Sequence, residues 1–264
     1  MPSLRRTLWK VKARCSYLAH IGLGYSSQAV GVNVPGFIIL AQGRTGSTLL
    51  TDLLNSHPSI CCEGEVLGTR RRFIEPFIAG KSTRFSLTGR TWGFKAKHYQ
   101  IAESFPGGGD KFLARIQKTG WRIIWLRRRN LVRASLSTLV GIERKTWAYN
   151  RMDIRAQPSV CIDPDDFARH LHGRVAQNQT ELSFLEDLGY LEVVYERDLA
   201  KVGEQTELPD VLDYLHVRRL PLQTTLRPTE ERPLCEYVTN WPALREIAIR
   251  EGFGELAIEA ERQG

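Results

Sequence analysis

The stretch FIILAQGRTGSTLL, residues 37–50, decides the fold of this chain. A short apolar run ends at a glycine-containing turn, and a helical pattern begins directly after it. In a strand-loop-helix unit of this kind, the backbone N–H groups of the turn and of the first helical turn point into one concavity. Such a concavity holds phosphate oxygens at the positive end of the helix dipole. The stretch therefore predicts an anion-binding loop.

The cation of this loop does not stand where a nucleoside triphosphatase has it. The phosphate loop of those enzymes follows the pattern G-x-x-x-x-G-K-[ST]. Here Ala41 stands at the first glycine and Ser47 at the lysine, before Thr48. Arg44 lies instead just before the turn glycine, Gly46, at the mouth of the loop. A guanidinium at this position suits an anionic group at the end of a nucleotide, and a kinase is disfavoured.

A second strand-to-helix junction follows later in the chain. The run WRIIWLR, residues 121–127, indicates a buried strand, and an amphipathic helical pattern follows it. Arg129 stands at the start of that pattern, and Ser137 comes eight residues later. This spacing places a guanidinium at a helix mouth and a hydroxyl about two turns, or ~12 Å, along the helix. Taken alone, a solvated basic cluster over residues 127–129 would explain the pattern equally well.

Both motifs resemble those of sulfotransferases that use 3′-phosphoadenosine 5′-phosphosulfate (PAPS). In that family a Lys or Arg, a small residue, Gly and two Ser/Thr follow the first strand. The corresponding residues here are Arg44, Thr45, Gly46, Ser47 and Thr48. The 3′-phosphate motif of the family, R-N-P-x-x-x-x-x-S, is similar to RNLVRASLS here, with Leu131 at the proline. The resemblance implies that the loop holds the 5′-phosphosulfate and that Arg129 and Ser137 hold the 3′-phosphate.

The segment after the first loop helix carries the candidate base. Its sequence NSHPSICCEGEVLG, residues 55–68, resembles the HP-x-x-x-C-x-GE pattern of carbohydrate and bacterial sulfotransferases. The resemblance implies that Glu65 accepts the proton of the attacking hydroxyl. A carboxylate at a strand end is chemically apt, because the nucleophile must lose a proton as its new bond forms. Glu63 is a neighbouring alternative, and a surface turn for both glutamates also stays open.

Residues 92–98, WGFKAKH, supply a lysine and a competing base. The order G-F-K resembles the third strand of the carbohydrate and bacterial branch, which implies that Lys95 stabilises the sulfuryl group and the leaving phosphate. Arg44 shares that catalytic role. Cytosolic sulfotransferases use a histidine in a K-x-H segment, so His98 is another alternative base, although we interpret it as a loop residue. A lysine at a strand end is also often simply solvated.

Two later segments are assigned to the ligand side of the fold. Residues 224–240 resemble the family segment that folds over the adenine and the 3′-phosphate, so Arg227 and Arg232 are candidate phosphate contacts. The R-K-G loop of the family is missing, which leaves the adenine side poorly specified. Residues 145–163 leave the helix of the second motif on the ligand side, and we predict that they form an acceptor lid.

Apolar runs and helical patterns alternate along the chain. The strand candidates are residues 37–42, 59–62, 92–96, 121–127 and 191–196, and the helical patterns between them include residues 46–56, 110–118 and 164–188. This alternation predicts an α/β fold, a three-layer, mostly parallel five-stranded sheet flanked by helices, with ligands at the carboxyl ends of the strands. We predict one domain over residues 1–264, with residues 1–36 as a basic N-terminal extension.

The composition of the chain limits the classes of binding partner that we expect. The net charge of +8 indicates anionic partners, but no RNA-binding motif or recognition helix is found, so we expect no nucleic acid. Five cysteines, including the adjacent pair Cys61-Cys62, show no metal-ligand spacing and predict reduced thiols in a cytoplasmic protein. No apolar run approaches the length needed to cross a bilayer, although the basic N-terminus could touch an anionic membrane.

The predicted function follows from the resemblance. It implies a sulfotransferase that moves the sulfuryl group of PAPS to an acceptor hydroxyl, leaving adenosine 3′,5′-bisphosphate. The expected acceptor is a small molecule, a glycan or a glycolipid, and no metal is required because cations and amides supply the countercharge. A P-loop small-molecule kinase and a non-catalytic, sulfotransferase-like nucleotide-binding protein stay open as alternatives.

Overall fold

The computed structural model describes residues 2–69, 71–145, 157–200, 205–226 and 232–262. Its central sheet contains β1 (Phe37–Ala41), β2 (Ile60–Glu65), β3 (Thr91–Ala96), β4 (Arg122–Arg127) and β5 (Leu191–Val194). These strands are all parallel and lie in the order β2-β3-β1-β4-β5. Helices cover both faces of the sheet. The predicted three-layer α/β fold is therefore confirmed, with each predicted strand found close to its expected bounds.

The described residues contain the following α-helices. They are α1 (Pro2–Ala29), α2 (Ser47–Ser56), α3 (Ile74–Ser86), α4 (His98–Ser104), α5 (Gly109–Lys118), α6 (Leu131–Glu143), α7 (Pro164–Leu185), α8 (Pro209–Tyr214), α9 (Leu234–Tyr237), α10 (Trp241–Arg250) and α11 (Gly254–Arg262). A short antiparallel pair, β6 (Gln205–Thr206) and β7 (Leu222–Gln223), lies outside the main sheet.

The central strand β1 explains why its sequence is continuously apolar. All five of its residues are buried, because helices pack on both sides of it. Ile38 and Leu40 belong to one hydrophobic core, together with Trp92. Ile39 belongs to a second core on the opposite face, together with Leu53 of α2. Successive side chains of a strand point to opposite faces, so an apolar run without alternation fits a doubly covered strand.

Residues 1–36, predicted only as a basic extension, contain a helix that packs on the main body. Helix α1 crosses α3 at two glycines: a Cβ on Gly24 would lie 1.9 Å from the carbonyl oxygen of Pro76, and one on Gly80 would lie 1.8 Å from that of His20. Real Cβ atoms do not approach a carbonyl this closely. The missing side chains therefore let the two backbones approach, which single-sequence periodicity did not indicate.

The end of β5 differs from the prediction. The strand stops at Val194, and residues Tyr195–Leu199 form a π-helical turn. The turn forms because the Asp198 carboxylate accepts a hydrogen bond from the Val194 backbone N–H at 2.7 Å. This turn directs Glu196 to the start of α6, where its carboxylate accepts hydrogen bonds from two successive backbone N–H groups. The segment thereby braces the end of the sheet next to the site.

The predicted acceptor lid lies partly outside the described residues. Of residues 145–163, the structure describes Lys145 and residues 157–163. In the described part, Val160 forms a parallel bridge to Val238. Asp163 caps α7 by accepting hydrogen bonds from backbone N–H groups in its first turn. The role of this segment as a lid stays a prediction.

Candidate active site

The loop between β1 and α2 has the geometry of an anion-binding turn. Arg44 and Gly46 both adopt left-handed backbone conformations, with φ of 64° and 88°. These two residues turn the chain so that α2 begins at Ser47. The free N–H groups of the first turn of α2 then line the concave side of the loop. Gly46 is required by sterics as well, since a Cβ there would lie 2.6 Å from the ring of Tyr195.

The guanidinium groups of two arginines donate hydrogen bonds to the backbone of the loop. Arg128 donates from Nη1 to the carbonyl oxygen of Arg44 at 3.3 Å and lies over the ring of Tyr195. Arg174 donates from Nη1 to the carbonyl oxygen of Gly43 at 2.7 Å. Burial lowers the pKa of Arg128. Both hydrogen bonds are made to backbone carbonyl oxygens of the loop and use none of its N–H groups.

Arg44 joins the two predicted motifs. Its Nε donates a hydrogen bond to Ser137 Oγ on α6 at 2.9 Å. Parallel strands β1 and β4 are neighbours in the sheet, so the loop after β1 and the helix after β4 start side by side. The proposed 5′ and 3′ phosphate positions thus share one edge of the sheet. Their roles in binding remain predictions, but the required proximity is present.

Three arginines are the other predicted 3′-phosphate ligands. Arg129 is 57% exposed at its side chain and pairs through Nη2 with Glu259 on α11 at 2.5 Å. The guanidinium of Arg232 lies over the ring of Tyr237, 5.8 Å from the ring centre. Arg227 lies outside the described residues. A phosphate-binding role for these three arginines stays a prediction.

Lys95 lies between the loop helix and the predicted base. Its Nζ is 3.4 Å from Thr48 Oγ1 and 3.8 Å from Glu65 Oε1. Lys97 also pairs with Glu65, with Nζ 3.2 Å from Oε2, and the amide of Gln100 donates to the same oxygen at 2.7 Å. Thr48 of the loop helix, Lys95 and the candidate base Glu65 therefore lie in one continuous cluster.

A bulge in β2 separates the two candidate glutamates. Glu63 pairs with Phe94 of β3, and Glu65 pairs with Lys95, so Gly64 is an extra residue in the strand. In a regular strand, residues 63 and 65 would face the same side, but one extra residue reverses this relationship. Glu63 accordingly pairs with Lys81 on α3 at 2.5 Å, whereas Glu65 faces Lys95. Glu65, rather than Glu63, therefore faces the lysine next to the loop helix, and its role as base stays a prediction.

The ionisation of this cluster follows from its contacts. Burial opposes the charge of Glu65, but the hydrogen bond from Gln100 and the charges of Lys97 and Lys95 outweigh it and hold its pKa below the ordinary value. Burial lowers the pKa of Lys95, and Glu65 partly opposes this effect. Burial also disfavours the charge of Lys97, yet its contacts with Tyr99 and Glu65 raise its pKa. A charged carboxylate is thus maintained beside two ammonium groups.

His98, the alternative base, faces another partner. It is the first residue of α4 rather than a loop residue, because the chain turns into a helix directly after β3. Its Nδ1 lies 3.8 Å from Oε1 of Glu181, a fully buried carboxylate on α7. The other oxygen of Glu181 accepts a hydrogen bond from the indole N–H of Trp125 at 2.8 Å. His98 is therefore engaged on the opposite side of β3 from Lys95.

Sequence reasoning missed the polar stripe of α7. Arg174 and Glu181 are buried and contact the loop and β4, and Asn178 accepts a hydrogen bond from Gln42 at 2.6 Å. The signal was present: residues 167, 171, 174, 178, 181 and 185 follow the three-four spacing of one helix face. Apolar residues at both ends of this series indicate that its polar middle is also turned inward. Leu182, which lies outside this series, is 44% exposed.

The described residues contain no cluster of three or more His, Cys, Asp or Glu side chains able to hold a metal ion. None of their helices combines the length and apolar character that crossing a membrane requires. All five cysteines are free thiols.

No family model matches the sequence. The chain is 27% identical over 240 residues to Nodulation protein H of Rhizobium meliloti, covering 79% of this chain and 89% of that protein. It also resembles the crystal structure of a sulfotransferase from Alicyclobacillus acidocaldarius, with a TM-score of 0.43 and 14% identity over 86% of this chain and 94% of the other.

A parallel sheet with a P-loop-like turn after β1 and a second basic junction after β4 defines the fold class directly. The sequence similarity to Nodulation protein H supports the resemblance to sulfotransferases found in the two motifs.

Proposed function

We propose that this chain transfers the sulfuryl group of PAPS to a hydroxyl group of an acceptor. The acceptor oxygen forms a bond to sulfur while the bond between sulfur and the phosphate oxygen breaks. The acceptor proton passes to Glu65, and the products are a sulfate ester and adenosine 3′,5′-bisphosphate. Atoms and charge balance without an oxidant or reductant.

The observation that carries this proposal is the position of Lys95. Its ammonium contacts Thr48 on the loop helix and Glu65 at the end of β2. A cation between the donor loop and the base would stabilise negative charge as it moves onto the leaving phosphate. The contacts that lower the pKa of Glu65 keep its carboxylate in the deprotonated form that a general base needs in order to accept a proton.

The donor nucleotide would contact both motifs. In this proposal the 5′-phosphosulfate lies in the loop and the 3′-phosphate lies near α6. The 5′ side would be held by Arg44, Thr45, Gly46, Ser47 and Thr48. The 3′ side would be held by Arg129, Ser137, Arg227 and Arg232. Backbone N–H groups and guanidinium groups together supply the countercharge, so the proposal includes no metal.

The acceptor is proposed to be a carbohydrate or a glycolipid. Besides the family resemblance, an aromatic ring near the base supports this class. Tyr99 is 43% exposed, and its ring centre lies 5.6 Å from the Nζ atom of Lys97, which pairs with Glu65. An exposed aromatic ring with a polar tip suits the apolar face and hydroxyl groups of a sugar.

The compartment and surroundings are also proposals. Five free thiols fit a reducing compartment, and we place the protein in the cytoplasm on that basis. The basic residues at the start of the sequence could contact an anionic membrane surface.

Titration calorimetry tests the proposal directly. The purified chain should bind adenosine 3′,5′-bisphosphate much more tightly than ATP with magnesium, and PAPS should label an acceptor in a pooled glycan and glycolipid screen. Magnesium-dependent ATP hydrolysis would instead identify a kinase-like activity. Binding of the bisphosphate without transfer to any acceptor would indicate a non-catalytic nucleotide-binding protein.

A further inference from the structure

Arg174 is a buried cation whose contacts are all made with polar groups of the site. It lies in the middle of α7 and is 6% exposed. On one side, Nη1 donates to Gln42 Oε1 at 3.1 Å and to the Gly43 carbonyl oxygen at 2.7 Å. On the other side, Nη2 donates to the Ala134 carbonyl oxygen at 3.2 Å and to Thr138 Oγ1 at 2.7 Å.

These four hydrogen bonds join two elements that belong to different motifs. Gln42 and Gly43 lie in the anion-binding loop, which contains Arg44. Ala134 and Thr138 lie on α6, and Thr138 directly follows Ser137. A single guanidinium therefore connects the backbone of the loop to the helix that carries the predicted 3′-phosphate ligand.

The chemistry of arginine suits this connection. The guanidinium is planar and holds its donors in a fixed geometry, so the direction toward the loop determines the direction toward α6. A lysine has one nitrogen and cannot reproduce two donor groups at fixed separation. Burial lowers the pKa of Arg174 to about 10, with Arg128 acting in the same direction and Glu181 opposing it. The side chain remains charged at neutral pH and adds positive potential behind the loop.

We infer that Arg174 is a positioning residue that sets the separation between the anion-binding loop and Ser137. This inference rests on the proposed function, because the separation matters for a ligand that carries phosphates at both ends. A ligand with only a 5′-phosphate engages the loop alone and does not depend on the connection. Arg174 therefore determines how strongly the protein prefers the doubly phosphorylated nucleotide.

The test compares two ligands in each variant by calorimetry. The ratio of the dissociation constant of adenosine 5′-monophosphate to that of adenosine 3′,5′-bisphosphate measures the preference. Arg174→Lys keeps the positive charge but loses the planar guanidinium with its two donor groups. Thr138→Val removes one hydrogen-bond acceptor on α6 without changing any residue of the loop. Arg90→Gln is the matched control, because Arg90 also donates to a backbone carbonyl, that of Ile60, at the opposite end of the sheet.

The expected result is a preference reduced about tenfold in Arg174→Lys and several-fold in Thr138→Val, with Arg90→Gln unchanged. A general loss of folded protein weakens both ligands equally and leaves the ratio constant. An unchanged ratio in both variants would overturn the inference. If Arg174→Lys does not fold, Thr138→Val alone decides, since its loop contacts are intact. Failure of the wild-type protein to bind the bisphosphate would instead count against the proposed function.

Discussion

Arg44 Nε donates a hydrogen bond to Ser137 Oγ across 2.9 Å, although 93 residues separate them in the sequence. The contact brings the loop after β1 against the helix after β4. In the proposed function, these residues would hold opposite ends of one nucleotide. The hydrogen bond also orients both side chains before ligand binding, which reduces the cost of ordering them in the complex.

The first prediction concerns Ser137. Ser137→Ala should weaken adenosine 3′,5′-bisphosphate binding about tenfold, because a hydrogen bond to a charged phosphate is lost. It should weaken adenosine 5′-monophosphate binding less, because that ligand is affected only through the orientation of Arg44. Calorimetry measures both. Ser135→Ala is the control, since Ser135 is buried on the same helix and its hydroxyl has no hydrogen-bond partner within the part of the chain that the structure describes. Equal weakening by both variants would show a general effect on α6.

The second prediction tests which glutamate, Glu65 or Glu63, acts as the general base. Glu65→Gln should lower turnover about 100-fold or more, because the general base is lost, while bisphosphate binding is retained. Glu63→Gln should retain most of its turnover, because Glu63 faces Lys81 on α3. Steady-state rates with PAPS and calorimetry provide the measurements. Unchanged turnover in Glu65→Gln would remove this residue from the mechanism.

The third prediction concerns pH. The folded pKa of Glu65 is held below its ordinary value, so the active carboxylate persists as pH falls until that lowered pKa is reached. Lys97→Met removes a positive charge and should move the acidic limb of the kcat profile to higher pH. Lys81→Met is the control, because Lys81 pairs with Glu63. An acidic limb at the same pH in Lys97→Met and the wild type would contradict the prediction.

The same pKa makes a prediction about stability. A carboxyl group whose folded pKa is depressed stabilises the protein above its unfolded pKa, and this contribution is lost as pH falls through the folded pKa. The difference in melting temperature between the wild type and Glu65→Gln should therefore be largest near neutral pH and narrow toward acid. Thermal unfolding followed by circular dichroism checks this, and a difference that widens toward acid would refute it.

The last prediction concerns the turn glycine. Gly46→Ala should cost about 1–3 kcal/mol of unfolding free energy and abolish bisphosphate binding, because a side chain there combines positive φ with a clash. The added Cβ would lie 2.6 Å from the Tyr195 ring. Gly252→Ala is the matched control, since its φ is 86° and no atom of the described residues lies within 4 Å of its Cβ position. Urea denaturation should show a smaller loss there, and equal losses would exclude a role for Tyr195.

The layers of this protein and the position of the turn between β1 and α2 could be predicted from the sequence alone. Burial on both faces requires a continuously apolar run such as residues 37–41, and a turn into a helix requires residues tolerant of left-handed geometry. Because these requirements are local, they are visible in the local sequence. The packing of helix α1 is less visible there, because it depends on Gly24 and Gly80, which are far apart in sequence.

Tertiary structure decided which polar residues meet. The bulge at Gly64 directs Glu65 toward Lys95, and one polar position on α7 brings Arg174 under the loop and against α6. Such contacts depend on strand order and on the register of neighbouring strands, which create proximity between residues that have no local relationship. Periodicity records which face of an element is buried, whereas the identity of the partner on that face exists only once the chain has folded.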